Sequence, residues 1–183
     1  TAGAGGWFTS NVNITTSGID AVSGITSCTA VQSQTTETAG TAFNGSCTNE
    51  AGLSADATPL TIKVDKSAPT AMLNSINGTA GTNGWYTSDV TVNWDCGDAI
   101  SGVTSGSTSQ TISSEGTSGS ATGTCTDNAG NTISDTQSGI KIDKTAPTAA
   151  LVVTGTLGNN GWYVSDVTVS TTGSDISPVT CTG

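Results

Sequence analysis

Carboxylates are the only side chains in this sequence that bring catalytic chemistry within reach. The chain of 183 residues holds 14 of them, four lysines, no arginine and no histidine. Serine is plentiful, but no imidazole exists to take its proton, so a Ser-His nucleophile is excluded. A glycosidase would need two carboxyl groups converging on one bond. Here Asp20, Asp98 and Asp175 recur at one repeat position, and Asp65 and Asp143 at another. Recurrence of this kind marks a feature every unit needs, so the chain reads as a non-enzyme. Cation binding is what remains. Asp89, Asp98, Asp127 and Asp143 are candidate oxygen ligands for calcium. Asn11 and Asn49 replace two of them in the first unit, which would weaken a site there. The competing reading for Asp20, Asp98 and Asp175 is a turn in which the carboxylate caps backbone N–H groups.

The five cysteines carry the other chemistry. Cys28 and Cys47 fall in one repeat, Cys96 and Cys125 in the next, and Cys181 in a third. Cys47 and Cys125 are equivalent by position, whereas Cys28 follows an Asp-Ala-x-Ser-Gly box that Cys96 precedes. Bridges Cys28–Cys47 and Cys96–Cys125 are expected, with the partner of Cys181 outside the segment. Zinc is the alternative, but two thiols per repeat and no histidine make a poor site. Loops of this size predict roughly 3–4 kcal/mol per bridge. Disulfides place the chain in an oxidising compartment, extracellular or at a cell surface.

Charge removes whole classes of partner. The net charge is −10. Nucleic acid is an unlikely ligand without a basic surface, and anionic membranes are repelled. No apolar run approaches the roughly 18 residues of a span, so membrane insertion of this segment is not expected. A signal peptide is not recognisable in it.

The elements that would position these groups must come from a chain poor in large apolar residues. Leu, Ile, Val and Phe number 31 of 183, below the roughly 20% at which disorder becomes a candidate. Internal repetition argues against disorder. Gly6-Trp-Phe-Thr-Ser-Asn-Val12 recurs as Gly84-Trp-Tyr-Thr-Ser-Asp-Val90 and as Gly161-Trp-Tyr-Val-Ser-Asp-Val167. Asp20-Ala-Val-Ser-Gly24, Cys47-Thr-Asn-Glu-Ala-Gly52 and Ile62-Lys-Val-Asp-Lys-Ser-Ala-Pro-Thr70 each recur 78 residues on. Joints at the Ala-Pro-Thr boxes give repeat one as 1–67, repeat two as 68–145 and a partial repeat three as 146–183. Within a repeat the apolar period is two: Val90, Val92, Trp94 and Cys96, then Ile140 and Ile142, and Val167 with Val169. Turn signals such as Asn83-Gly84 and Asp127-Asn-Ala-Gly130 separate the runs. The fold class is all-β, with small two-sheet sandwiches of about 78 residues.

Trp7, Trp85 and Trp162 recur after a turn and so read as packing anchors, while Trp94, unique to repeat two, lies in phase with Val90 and Val92. Lys63 and Lys141 should face water. Asn13, Asn44 and Asn77 match the N-glycosylation acceptor pattern.

Together these boxes resemble bacterial Ig-like tandem repeats of large secreted and surface proteins. The resemblance covers essentially the whole chain. It implies an Ig-like fold, a stalk, fibre or adhesive role and no catalytic residues. The expectation is therefore a structural segment of an extracellular appendage, with neighbouring repeats as partners. The edge left open in repeat one would let neighbours exchange strands into a filament. The alternative is an adhesin module for carbohydrate or a host receptor.

Overall fold

The structure is a computed structural model, and it describes residues 1–182. Seventeen strands follow in chain order: β1 Trp7–Phe8, β2 Val12–Ile14, β3 Ile25–Cys28, β4 Gln32–Gln34, β5 Thr38–Phe43, β6 Ser46–Asn49, β7 Ser54–Asp56, β8 Leu60–Val64, β9 Thr70–Asn77, β10 Trp85–Tyr86, β11 Val90–Gly97, β12 Val103–Ser107, β13 Ser109–Ile112, β14 Gly116–Asp127, β15 Thr132–Ile142, β16 Thr148–Thr154 and β17 Thr168–Ser174. Thr and Val, stiff at χ1, suit this pleated geometry. No α-helix occurs among the described residues.

Repeat one forms the sheets β1-β8-β5, β2-β4 and β3-β6-β7, repeat two β10-β15-β14-β12 and β13-β11-β9, and repeat three the pair β16-β17. Details recur with the sequence. β1 pairs in parallel with β8, Trp7 opposite Lys63, and β10 pairs in parallel with β15, Trp85 opposite Lys141. The β3–β6 ladder slips between Ile25 and Ser27, and the β12–β14 ladder slips at the equivalent Val103 and Ser105. Before each Trp stands a tight hairpin with two consecutive residues at positive φ: Gly5-Gly6, Asn83-Gly84 and Asn160-Gly161. Only Gly and Asn visit that region readily, and two in a row specify a type I′ turn.

The chain divides into two compact units that do not follow the Ala-Pro-Thr boxes. The first holds Thr1–Asn74, Asn93–Ser109 and Thr122–Asp135, and the second holds Ser75–Val92, Gln110–Ala121 and the chain from Thr136 on. In the first unit Trp7, Ile62, Val64, Trp94, Cys125 and Ala129 are buried. Gly123 lies against Trp94 so closely that a Cβ there would overlap the indole. In the second unit Val90, Val92, Ala121, Ile140 and Ile142 are buried. Each fully buried Val or Ile contributes roughly 1.5–3 kcal/mol.

Repeat three departs from the pattern. Val167 and Val169, in phase with an inward face, are 45% and 55% exposed, and Trp162, expected to anchor packing, is 76% exposed. Its described part holds only β16 and β17, paired from Thr148↔Ser174 to Thr154↔Thr168. No strand of that repeat, among the described residues, covers them as β15 covers Trp85.

Candidate functional site

Three carboxylates meet where the end of repeat one approaches the turns of repeat two. Oxygens of Asp65, Asp98 and Asp127 lie within 4.8 Å of one another. Asp65 and Asp127 have no exposed surface. Asp65 is delivered by the residue after β8, Asp127 by the last residue of β14 and Asp98 by the turn after β11. Asp98 Oδ1 accepts from the backbone N–H groups of Ile100, Ser101 and Gly102. Asp127 Oδ1 accepts from the N–H of Gly130 at 2.7 Å and of Asn131 at 2.9 Å, and its Oδ2 from Asn131 Nδ2 at 2.8 Å. Asp65 Oδ2 accepts from the N–H of Ser101 at 3.2 Å. The Asn131 amide also donates to the carbonyls of Asp65 and Ser67, fastening the turn to the end of repeat one. Burial pushes the Asp98 carboxyl up, but the N–H groups of Gly102, Ser101 and Ile100 outweigh it and hold the pKa below the usual range. Clustered hard oxygens of this kind are the donor set calcium takes.

Of the four aspartates expected as calcium ligands, the structure groups two. Asp98 and Asp127 come together, and Asp65 joins them. Asp89 instead accepts from Lys144 Nζ at 2.8 Å, and Asp143 Oδ1 accepts from the N–H of Thr145. Sequence points to Asp65 only through its repeat equivalent, Asp143. Its partners lie more than 30 residues downstream, in another repeat, so spacing alone could not join them.

Repeat one shows the same turn without the cluster. Asp20 Oδ1 accepts from the N–H of Ser23 at 2.7 Å and of Val22 at 3.0 Å. Asn49, at the position of Asp127, donates its amide to Asp20 Oδ2. The Ser23 N–H first, then the Asn49 amide, lower the Asp20 pKa from 3.8 to about 2. The capping reading of these aspartates describes both turns.

A second duplicated network surrounds the lysines. Lys63 Nζ lies 5.5 Å from the Trp7 ring and Lys141 Nζ 5.6 Å from that of Trp85. Both lysines are half-buried, covering the indole by a cation–π contact. Lys66 Nζ donates to Asn11 Oδ1 and the Thr35 carbonyl, as Lys144 does to Asp89 and the Ser113 carbonyl. Glu37 and Glu115 accept from the backbone N–H of those lysines. The Ser67 hydroxyl, ahead of the Lys66 N–H, lowers the Glu37 pKa.

The disulfides Cys28–Cys47 and Cys96–Cys125 are formed, with Cα atoms 4.0 and 5.7 Å apart. The first joins neighbouring strands of one sheet, β3 and β6. The second joins strands of different sheets, β11 and β14. Shifting by 78 puts Gly18 at the place of Cys96 and Gly106 at the place of Cys28. A Cβ on Gly18 would lie 3.1 Å from Cys47 Sγ, and Gly106 stands directly opposite Cys125. Cys181 is free and exposed. Its sulfur lies 3.2 Å from a Cβ built on Gly173, which takes the Cys96 position in repeat three. Repeats one and two thus each offer the cysteine box two partner positions, one holding Cys and the other Gly, and repeat three holds Cys181 and Gly173 at those two positions.

Asn13, Asn44 and Asn77 are exposed. Trp94 is 2% exposed and donates its indole N–H to Asp135. Among the described residues no helix is long and apolar enough to cross a membrane. No known protein family, curated protein or solved structure matches the chain.

Proposed function

We propose that this chain is a structural segment of an extracellular fibre, stalk or surface appendage, made of Ig-like sandwiches in series. The observation that carries the reading is one strand frame built twice along the chain: β1 pairs in parallel with β8 and β10 with β15, and the β3–β6 and β12–β14 ladders slip at equivalent residues. Such repeats add length with each copy. The net charge of −10 keeps a long polymer soluble, and the two bridges suit an oxidising exterior.

The open edge of β2 supports a role for added strands. In repeat two β9 pairs alongside β11, whereas β2, the equivalent of β11, has only β4 beside it among the described residues. A strand of the β9 type would complete that edge, supplied by the same polypeptide or by a neighbour. A calcium ion on Asp65, Asp98 and Asp127 would stiffen the link between successive repeats. The adhesin reading is less well supported, because Trp94 is buried.

Electron microscopy of native material tests the proposal. Filaments or rods with a regular repeat are the expected result. Isolated, non-repeating particles would reject it.

A further inference from the structure

The first two of the hairpins that precede the repeated tryptophans differ in what touches them. In the first unit the hairpin Gly3–Gly6 holds the turn Asn128–Gly130. Ala4 N–H donates to the Ala129 carbonyl at 2.9 Å, and Ala129 has no exposed surface. Gly3 is required there, since a Cβ would overlap the Ala129 oxygen. Asn131 closes the contact by donating to the carbonyls of Asp65 and Ser67.

In the second unit the equivalent hairpin borders an open groove of about 430 Å³, lined by Gly81, Thr82, Trp85, Asp143, Ser177 and Pro178, among others. Gly81, Thr82, Asp143 and Thr145 stand 78 residues after Gly3, Ala4, Asp65 and Ser67. Trp85 and Asp143 are half-buried where Trp7 and Asp65 are buried. A Cβ on Gly81 meets nothing closer than 3.2 Å. The floor, the Thr82 donor and the two carbonyls that would accept an asparagine amide are all present.

We propose that this groove is a docking site for an Asp-Asn-Ala-Gly-Asn turn of another repeat, seated as Ala129 is seated against Gly3. This rests on reading the chain as a repeat array, and it names the contact that joins one repeat to the next. Thr82 N–H donates to the incoming Ala carbonyl, the carbonyls of Asp143 and Thr145 take the incoming Asn amide, and Gly81 leaves room for the close approach.

The test extends the full chain at its C-terminus with a second copy of residues 109–145, which supplies the turn. Hydrogen exchange at Thr82 is compared with Ala4, the internal standard. Exchange at Thr82 is expected to slow on the order of tenfold or more in the extended chain. Gly81→Ala should restore fast exchange there and leave Ala4 unchanged. The proposal is overturned when Thr82 exchanges equally fast with and without the extension, or stays protected in the Gly81→Ala variant. A second arm uses the unextended chain and does not depend on the added strands folding. Gly3→Ala should speed Ala4 exchange on the order of tenfold while the amides of Ile140 and Ile142 stay protected, and unchanged Ala4 exchange overturns the docking geometry. Rods seen by microscopy together with an unprotected Thr82 would reject the docking contact and leave the spacer reading standing.

Discussion

Repeats one and two solve the same problem with different covalent chemistry. Both put a half-cystine in the strand before the Ala-Gly turn, at Cys47 and Cys125. Repeat one bonds it to its cross-strand neighbour, Cys28, so the bridge reinforces a single sheet. Repeat two bonds it to Cys96, so the bridge ties two sheets together. The unused position is glycine each time. The carboxylates differ in parallel: Asp98 and Asp127 of repeat two gather with Asp65 from the end of repeat one, whereas repeat one places Asn49 against Asp20. A shared frame therefore tolerates exchange of both its crosslink and its charge, provided each exchange leaves no unpaired partner. A cysteine facing glycine and an amide facing a carboxylate both satisfy that condition.

The largest effect should come from moving the crosslink. Gly18→Cys with Cys28→Gly is expected to form a bridge from position 18 to Cys47, seen by disulfide mapping, and to hold stability within about 1 kcal/mol. The 3.1 Å approach needs only a few tenths of an ångström of relaxation. The reverse exchange, Cys96→Gly with Gly106→Cys, should fail. A Cβ at Gly106 would overlap the Thr124 carbonyl. Loss of the bridge there should lower the denaturation free energy by about 3–4 kcal/mol. Equal tolerance of the two exchanges would show that the two positions are not geometrically distinct.

Calcium comes next. Several millimolar calcium should stabilise the wild-type chain by about 1–3 kcal/mol against chelator in thermal melts. Asp127→Asn, which gives repeat two the residue of repeat one, should remove most of that response. A melt indifferent to chelator would discard the ion and leave the cluster as a turn-fastening device.

Surface charge ranks lower. Asn11→Asp copies Asp89 and offers Lys66 the ion pair that Lys144 makes. Both ends of such a pair are partly solvated, so a gain of about 0.2–1 kcal/mol in chemical denaturation is expected, fading with salt. No change at low ionic strength would mean that the Thr35 carbonyl already fixes Lys66.

Acid should act most weakly, and later in repeat one than ordinary carboxylates would. The folded pKa of Asp20 is depressed, so its contribution is fully present above pH 4 and is lost as the pH falls towards about 2. Asp98 shifts in the same direction. Amide resonances of Ser23 and Ser101 followed from pH 5 to 2 should report both turns. A midpoint for Ser23 near 4 would contradict the capping geometry.

Much of this architecture was legible because it is local. Alternation at Val90, Val92 and Trp94, the Asn-Gly hairpins and the four ordered boxes all act over a few residues or recur in register. Distance hid the rest. The parallel pairing of Trp7 with Lys63 joins segments more than 50 residues apart, and no periodicity announces it. Asp65 meets Asp98 and Asp127 only because the end of one repeat lies on the turns of the next. The reciprocal Gly and Cys positions were present in the alignment of the repeats, but a glycine signals a missing crosslink only once Cys47 is seen beside it. In repeat three the inward phase of Val167 and Val169 was readable, and burial did not follow, because alternation names a face without supplying its cover.

The four lysines, in β8 and β15 or just after them, have a consequence for resistance to proteases. With no arginine anywhere, proteases of tryptic specificity find cleavable bonds only after Lys63, Lys66, Lys141 and Lys144. Two of these side chains lie over tryptophan rings, and the other two reach back to loop carbonyls. Digestion should therefore wait for local opening of the segment that leads from one repeat to the next, and then release intact modules.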